Sequence, residues 1–376
     1  MDRLSPERLI AEAVAATGLT DFGGDDFREG LARNVEAFAQ LPLTPQALAA
    51  ARLRLVSDLA NRLRIQAWLR ANPECEEQRI EGPLLVCGLP RTGTTATVAM
   101  LALDPRFRFL RGWESREPIP PPIAGEEDVD PRAVAAREAA KTYDKAALHL
   151  FDPDGPEEDL VMLAGLTMHG LHGAYPMPDD YMDWWIGEDF GPTYAWHART
   201  LKVLQSRRPP HLWLLKAPPH IFKLEAFAAQ YPDARFVMTH RDPAKVVASV
   251  ASLYQDFYQR QCDPGAIDKR WTGRRCLEFW AEGARQAMTA RARIGEHRFV
   301  DVYNRDVVRD PVGAFEKLYD GLGYAVDADL RARLEAYHAR NAQGRHGQHA
   351  YTAEEYGLSE PMIRAAFKDY VERFGL

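Results

Sequence analysis

Hydrophobic residues in the first part of the chain recur at spacings of three and four, the period of an α-helix that buries one face. Three segments show this pattern: 6–17, 25–40 and 44–72. In the third segment, four leucines fall on one face: Leu48, Leu55, Leu59 and Leu63. The Asn72-Pro73 pair ends it, because proline cannot continue a helix. We therefore predict that residues 1–80 form a helical extension packed on the core.

Short apolar runs further along the chain predict buried β-strands. They lie at 84–86, 107–110, 211–216, 236–239 and 298–302. A proline-rich loop at 118–122 and helical patterns from 131 to 207 separate the second run from the third. This alternation predicts an α/β fold, with a mostly parallel central sheet flanked by helices and ligands at the carboxyl ends of the strands. Residues 81–376 should form this domain, with a helical insertion at about 118–207.

Composition narrows the class of protein. The 376 residues carry a net charge of −7, which argues against a general nucleic-acid or anionic-membrane partner. The N-terminus lacks a signal-type apolar segment and no run of eighteen apolar residues occurs, so we expect a soluble, cytoplasmic protein without a membrane span. The 4 cysteines form no CxxC pair and the histidines follow no metal-binding spacing, so we predict no metal site.

The run at 84–86 leads into a turn rich in glycine and threonine. Gly88 and Gly93, followed by Thr94 and Thr95, nearly match the pattern G-x-x-x-x-G-K-[ST], but Thr94 stands where the lysine should be. Free backbone N–H groups at the start of a helix, together with threonine hydroxyls, suit a phosphate or sulfate. Because the missing lysine normally bridges the outer phosphates of a nucleoside triphosphate, its absence weakens a kinase interpretation, and Arg91 offers a cation instead.

Two segments resemble one family. Residues 89–95, Leu-Pro-Arg-Thr-Gly-Thr-Thr, resemble the 5′-phosphosulfate loop of sulfotransferases that use 3′-phosphoadenosine 5′-phosphosulfate (PAPS). Residues 234–249 resemble the family's 3′-phosphate segment, in which Arg241 ends a strand and Ser249 lies two turns into the next helix. The resemblance implies a P-loop-like sulfotransferase fold, PAPS as co-substrate, adenosine 3′,5′-bisphosphate as product, and no metal.

The resemblance also implies a set of nucleotide-binding residues: Arg91, Thr92, Gly93, Thr94, Thr95, Arg241, Ser249, Tyr303, Arg345, His346 and Gly347. Tyr303 would lie near the adenine, and the glycine-rich basic segment at 344–347 would close over the nucleotide, although it could also be a plain turn. Many animal members have a tryptophan after Gly-Thr-Thr, where this chain has Ala96, so the adenine needs another partner.

Sulfuryl transfer needs cations at the leaving oxygen and a base for the acceptor hydroxyl. Arg91 and Lys216 are the candidate cations, and Lys216 resembles the family lysine that follows the corresponding strand. Its alternative interpretation is a solvated lysine at a strand end.

Two residues are candidates for the base. His220 resembles the catalytic histidine of the cytosolic animal enzymes but is displaced by two positions, and Glu114 resembles a glutamate of some bacterial members. A histidine with a pKa near 6.5 needs no tuning at neutral pH, whereas a glutamate with a pKa near 4.3 needs desolvation, so His220 is preferred. Alternatively, His220 could cap the next helix, and Glu114 could pair with Arg111 or Arg116.

Aromatic residues concentrate in one part of the predicted insertion: Tyr181, Trp184, Trp185, Phe190, Tyr194 and Trp196. They could be core residues or could line an acceptor pocket. The sequence therefore predicts a PAPS-dependent sulfotransferase that acts on a hydroxyl of a small, apolar or aromatic acceptor. A nucleoside-triphosphate kinase or NTPase and a non-catalytic nucleotide-binding module are the alternatives. Sulfation of nitrogen instead of oxygen stays open, and a homodimer is compatible with the sequence.

Overall fold

The computed structural model describes residues 4–141, 152–169, 174–209, 211–340 and 351–376. Its strands are β1 (Leu84–Gly88), β2 (Phe107–Phe109), β3 (Leu212–Lys216), β4 (Arg235–His240) and β5 (Phe299–Tyr303). Within these residues they form one five-stranded sheet in the order β2-β3-β1-β4-β5, and every neighbouring pair is parallel. The predicted α/β fold with a mostly parallel sheet is confirmed.

Helices cover both faces of the sheet. In the described residues they are α1 (Pro6–Thr17), α2 (Arg28–Gln40), α3 (Pro45–Ala71), α4 (Glu74–Glu77), α5 (Thr94–Leu101), α6 (Gly112–Arg116), α7 (Pro131–Ala140), α8 (Leu160–Thr167), α9 (Asp179–Gly187), α10 (Gly191–Gln205), α11 (Leu224–Gln230), α12 (Pro243–Gln261), α13 (Lys269–Ile294), α14 (Asn304–Arg309), α15 (Pro311–Gly321), α16 (Ala328–Arg340), α17 (Glu360–Ala366) and α18 (Lys368–Phe374). Short 3₁₀ turns lie at Pro218–Phe222, Glu296–Arg298 and Glu354–Tyr356. None of the helices described is both long enough and apolar enough to cross a membrane.

The sheet is buried on both faces because successive side chains of a strand alternate between them. Leu85 and Cys87 of β1 belong to a large core, and Leu84 and Val86 belong to a smaller one. The large core also contains residues of α1, α2 and α3, so these helices pack against the rest of the chain.

Local signals explain the bounds of the first helices. Ser5 accepts a hydrogen bond from the Arg8 N–H at the start of α1, and Thr44 accepts one from the Ala47 N–H at the start of α3. Three of the predicted leucines of α3 are buried and Leu48 is half-buried.

The strand order places a switch point at β1. In the sheet, β3 lies on one side of β1 and β4 lies on the other. The loops that follow β3 and β4 therefore leave the sheet on opposite sides of the carboxyl end of β1. A crevice at such a point is where open parallel sheets bind ligands. The glycine- and threonine-rich turn follows β1 at this crevice.

Candidate active site

Backbone geometry shapes the loop between β1 and α5. Gly88 has φ of 141°, and a β-carbon there would lie 2.6 Å from the Thr239 carbonyl oxygen of β4. Gly93 has φ of 102°, which also favours glycine. Arg91 has φ of 63°, which lies in the left-handed region. For a residue other than glycine this backbone conformation costs on the order of 1–3 kcal/mol, and such residues are concentrated at ligand-binding sites. The loop therefore lies tightly against β4, with the backbone of Arg91 strained.

The threonines of the loop have different environments. The Thr92 hydroxyl donates to the Leu89 carbonyl at 2.6 Å and lies 2.6 Å from the Thr239 hydroxyl, so it ties the loop to β4. Thr94 is buried at the first position of α5, whereas Thr95 is exposed. The structure thus gives the Thr92 hydroxyl an internal partner, and leaves Thr95 on the open side of the loop.

The two sequence motifs meet at this edge. The Arg91 Nε donates to the Ser249 hydroxyl at 3.2 Å, and the Arg241 Nη1 donates to the Arg91 carbonyl at 3.1 Å. In the described part of the chain, the buried Arg241 Nε has no hydrogen-bond partner. An unpaired buried donor on a guanidinium group, close to a second arginine, fits an anion.

Lys216 stands beside the loop because β3 pairs with β1, with Val86 opposite Lys216. The Lys216 Nζ donates to the Thr95 hydroxyl at 3.3 Å and to the Glu158 Oε1 at 2.7 Å. Its side chain is only 3% exposed, so it is not a solvated lysine at a strand end. Lys216 of the neighbouring strand β3 thus supplies a cation beside the loop, where Thr94 replaces the lysine of the nucleotide-binding pattern.

Glu158 is a site residue that sequence reasoning missed. The Glu157 N–H donates to the Leu110 carbonyl at 2.8 Å, and the Asp159 N–H donates to the Lys216 carbonyl at 3.3 Å, so this segment crosses the ends of two strands. The Glu158 side chain remains 23% exposed. An acidic run just before an apolar helix was visible in the sequence, but only the fold shows which carboxylate faces Lys216.

His220 lies in a buried network. Its Nδ1 is 2.7 Å from the Tyr194 hydroxyl, and its Nε2 is 2.9 Å from both carboxylate oxygens of Asp159. His197 Nε2 is 3.3 Å from the same carboxylate, and its Nδ1 is 2.7 Å from the Tyr231 hydroxyl. His220 is 1% exposed with both ring nitrogens engaged, so in this arrangement it has no free nitrogen for an acceptor proton. This geometry does not favour His220 as the base, and its assignment stays a prediction.

Charge distribution in this network favours an ionised Asp159. Burial alone would raise the pKa of Asp159, but His220 and His197 together lower it well below its usual range. Burial lowers the pKa of His197, which favours its neutral form. Because Asp159 is fixed from two sides, the adjacent Glu158 is held at the edge of the sheet.

Glu114, the second candidate base, is also fully buried. Its Oε1 accepts from the Arg108 Nη2 at 3.1 Å, and its Oε2 accepts from the Arg111 backbone N–H at 3.1 Å. Burial lowers the pKa of Arg108 to about 10, even with the Glu114 carboxylate beside it. The Arg111 Nη1 also lies 3.6 Å from the Glu114 Oε1, so the alternative pairing with Arg111 is present beside the ion pair with Arg108. This geometry does not favour Glu114 as the base, and its assignment stays a prediction.

The remaining predicted residues are distributed differently. Tyr303 is half-buried at the end of β5, with its ring 5.2 Å from that of His240 and 4.7 Å from the Arg305 guanidinium carbon. The Asn304 amide lies against the loop, because a β-carbon at Gly93 would be 3.2 Å from its nitrogen. The predicted nucleotide-binding residues Arg345, His346 and Gly347 lie outside the described residues.

The aromatic concentration belongs mainly to the large core. Five of its members are buried there: Tyr181, Trp185, Phe190, Tyr194 and Trp196. Trp184 is half-buried and stacks on His169 with ring centroids 5.1 Å apart. Core packing therefore explains most of this pattern.

Comparisons with known proteins identify the family of the chain. Residues 83–329 match the Sulfotransferase family. The crystal structure of sulfotransferase STF9 from Mycobacterium avium superimposes with a TM-score of 0.90 at 31% identity, covering 99% of this chain and 97% of that chain. Sulfotransferase STF1 from Mycobacterium tuberculosis H37Rv gives a TM-score of 0.86 at 28% identity, covering 98% and 99%.

A curated relative from Mycobacterium tuberculosis, omega-hydroxy-beta-dihydromenaquinone-9 sulfotransferase Stf3, is 24% identical over 304 residues, which are 78% of this chain and 75% of the relative. The family match covers the strands and loops that form the anion site. The chain therefore belongs to the sulfotransferase family and is a transferase of the sulfotransferase type.

Proposed function

We propose that this enzyme transfers the sulfuryl group of PAPS to a hydroxyl of a small, apolar or aromatic acceptor. One observation carries the proposal: the buried Lys216 ammonium bridges Thr95 of the anion loop and the carboxylate of Glu158. A cation and a carboxylate thus lie side by side where α5 begins.

The residues at this edge fit the two ends of PAPS. The loop with Arg91 would hold the 5′-phosphosulfate, and the unpaired Nε of Arg241 together with Ser249 would hold the 3′-phosphate. Tyr303 is proposed to lie near the adenine, and adenosine 3′,5′-bisphosphate would be the product. No cluster of three potential metal ligands occurs within the described ranges, and the metal-free reaction stays a prediction.

Glu158 is the proposed base. PAPS supplies the sulfuryl group, and the bond broken joins its sulfur to the bridging oxygen of the 5′-phosphate. The acceptor oxygen forms the new bond to sulfur, and its proton passes to the Glu158 carboxylate. Lys216 then stabilises the negative charge left on the phosphate oxygen, because its Nζ already reaches the loop.

The acceptor proposal has independent support. The curated mycobacterial relative is named for an omega-hydroxy menaquinone, which agrees with a hydroxyl on an apolar molecule. The kinase alternative is weaker, because β4 ends in Thr239-His240 and offers no acidic residue for magnesium. A module without catalysis would have no need of a buried lysine paired with a carboxylate beside the loop.

Radiolabelled PAPS tests the proposal. With a panel of phenols and primary alcohols, label should move to at least one hydroxyl acceptor, with an equal amount of adenosine 3′,5′-bisphosphate released. Transfer of phosphate from ATP to the same panel, without sulfur transfer from PAPS, would contradict it.

A further inference from the structure

Helices α17 and α18 contact the strand end that carries Arg241. Arg241 lies between His240, the last residue of β4, and Asp242, the residue before α12. Side chains of α18 contact the first of these neighbours, and a side chain of α17 contacts the second. We call the residues that make these contacts the C-terminal anchor: Arg364, Tyr370 and Phe374.

The fully buried ring of His240 is held through both of its nitrogens. Its Nε2 lies 2.8 Å from the Asp301 Oδ1, and its Nδ1 lies 2.8 Å from the Tyr370 hydroxyl. A neutral ring carries one N–H, and burial favours this form because it lowers the pKa of His240. Since a carboxylate only accepts, Nε2 donates to Asp301 and Nδ1 accepts from the Tyr370 hydroxyl. The Phe374 ring stacks on His240 with centroids 4.0 Å apart, so α18 holds His240 through two side chains.

The Asp301 carboxylate is itself fixed by α13. Arg291 donates to its Oδ1 from Nη1 at 2.5 Å and to its Oδ2 from Nη2 at 2.9 Å. A paired contact of this kind fixes the relative orientation of guanidinium and carboxylate. The hydrogen bonds therefore run from Arg291 through Asp301 and His240 to Tyr370, whose hydroxyl connects them to α18.

Asp242 links α17 to the start of α12. Its Oδ1 accepts from the Ala244 N–H at 3.0 Å, which caps the helix, and its Oδ2 accepts from the Arg364 Nη2 at 2.8 Å. The same helix carries Ser249, whose hydroxyl accepts from Arg91. One carboxylate thus caps α12 and ties its first turn to α17.

The Arg241 side chain has few contacts of its own. In the described ranges its Nη1 donates to the Arg91 carbonyl, and its buried Nε has no partner. The direction of such a side chain depends on its backbone, which α17 and α18 hold on both sides. A group that binds a ligand must stay within about 0.5 Å of its working position. Contacts to His240 and Asp242 therefore bear directly on what Arg241 can bind.

We propose that Tyr370 and Arg364 are positioning residues for the 3′-phosphate of PAPS, because they hold the two neighbours of Arg241 and so orient its guanidinium. This inference rests on the proposed function, in which Arg241 binds that phosphate, and it makes α17 and α18 part of the nucleotide site.

Two nucleotides that differ only in the 3′-phosphate measure this role. Calorimetry gives the Kd of adenosine 5′-monophosphate divided by that of adenosine 3′,5′-bisphosphate, a ratio that reports the 3′-phosphate alone. Tyr370→Phe keeps the ring but removes the hydroxyl bonded to His240, so the ratio should fall by roughly three- to tenfold, the effect of one lost hydrogen bond. Affinity for the monophosphate should not change. A ratio equal to that of wild type would overturn the role of Tyr370.

Tyr319→Phe is the matched control. Tyr319 is also fully buried, and its hydroxyl donates to the Asp104 Oδ2 at 3.0 Å, but it lies in the smaller core. The control should lose a similar amount of stability and keep the wild-type ratio. An equal fall of the ratio in both variants would make it a general effect of a lost buried hydroxyl and overturn the proposal.

Arg364→Gln tests the other neighbour of Arg241, and gives the readout even if Tyr370→Phe does not fold. It removes the ion pair with Asp242 and should also lower the ratio by severalfold. Arg293→Gln is its control, because Arg293 pairs with Glu225 at 3.0 Å across two other helices. If the ratio is the same in Arg364→Gln, Arg293→Gln and wild type, α17 does not position Arg241.

A double variant shows whether Tyr370 acts through Arg241. Arg241→Ala removes the guanidinium, so adding Tyr370→Phe should lower the ratio no further. A further fall would mean that Tyr370 acts by another route, which contradicts the proposal. In turnover assays, Tyr370→Phe should raise the KM for PAPS and keep kcat at saturating PAPS, whereas a loss of folded enzyme would lower kcat and keep KM.

The wild-type ratio separates the two proposals. If wild type binds the two nucleotides equally, it has no 3′-phosphate site, and the proposed function fails together with the positioning role. If wild type prefers the bisphosphate, loses that preference in Arg241→Ala and keeps it in both Tyr370→Phe and Arg364→Gln, the positioning role alone fails.

Discussion

Glu158 and Asp159 are adjacent in the chain, but their environments give them different roles. Asp159 is fully buried, and two histidines hold it ionised. Glu158 is partly exposed and bonded to Lys216. We therefore propose that the buried carboxylate fixes the backbone and that the partly exposed one acts as the base.

Replacing Glu158 with glutamine tests its role as the base. Glu158→Gln keeps the shape of the side chain but removes its basicity, so kcat should fall by about 10²- to 10⁴-fold. Binding of adenosine 3′,5′-bisphosphate, measured by calorimetry, should stay close to that of wild type. Glu157→Gln is the control on the preceding residue and should keep near-normal turnover. Near-normal turnover in Glu158→Gln would rule out this base.

We assign His220 a positioning role, and His220→Ala tests it. The variant leaves the buried Asp159 with one histidine fewer, so unfolding by denaturant should show a loss on the order of 3–5 kcal/mol. If stability and binding of adenosine 3′,5′-bisphosphate are unchanged while kcat falls, His220 is the base after all.

For individual residues, local motifs could be predicted from the sequence, but partners that are distant in the chain could not. Arg91, Arg241 and Ser249 each lie in a local motif, and the fold brings the three together. Their contact with the nucleotide stays a prediction. His220 was preferred because its ordinary pKa suits a base, but the partners that occupy its nitrogens are distant in sequence. Glu158 could not be distinguished from its acidic neighbours until β3 placed Lys216 against it.

At the scale of elements, the contact between β1 and β4 sets the shape of the anion loop. Gly88 pairs with Thr239, and the approach is close enough to exclude a β-carbon. The apolar runs predicted the strands to within about two residues, since a strand buried on both faces is locally distinct. The strand order depends on pairings between distant segments, and no local pattern encodes them.

Gly88→Ala tests this contact. The new methyl group would push β4 away from the loop, so both thermal stability and affinity for adenosine 3′,5′-bisphosphate should fall. Gly323→Ala is the matched control, because Gly323 also has a positive φ, of 71°, but nothing lies within 4 Å of its added β-carbon. The control should lose about 1–2 kcal/mol of stability from backbone strain alone and keep its nucleotide affinity. Equal losses in both variants would show that the close approach at Gly88 does not matter.

Across the whole molecule, buried histidines link stability to pH. Burial and the neighbouring Lys223 lower the pKa of His169 from 6.5 to about 4. As pH falls below 6.5, the unfolded chain binds a proton that the folded chain does not, so stability is lost until the pH reaches about 4. Burial raises the pKa of Asp58 to about 6, which opposes this trend.

A comparison of wild type with His169→Gln isolates the histidine, since Asp58 is common to both proteins. Between pH 7 and pH 5, wild type should lose about 2 kcal/mol more of its unfolding free energy than the variant does. Urea unfolding at both pH values measures this. Parallel pH dependence in the two proteins would mean that His169 titrates normally in the folded state.

The most direct test of a PAPS-binding site is a calorimetric comparison of adenosine 3′,5′-bisphosphate with magnesium ATP. Arg91 and Arg241 meet at one edge of the sheet, suited to two phosphates of one nucleotide, and the loop lacks the lysine that a triphosphate needs. We predict much tighter binding of the bisphosphate, weakened by about 1.5–3 kcal/mol in Arg241→Ala, which removes a charged hydrogen bond. Tighter binding of magnesium ATP, or bisphosphate binding that Arg241→Ala leaves unchanged, would contradict the account.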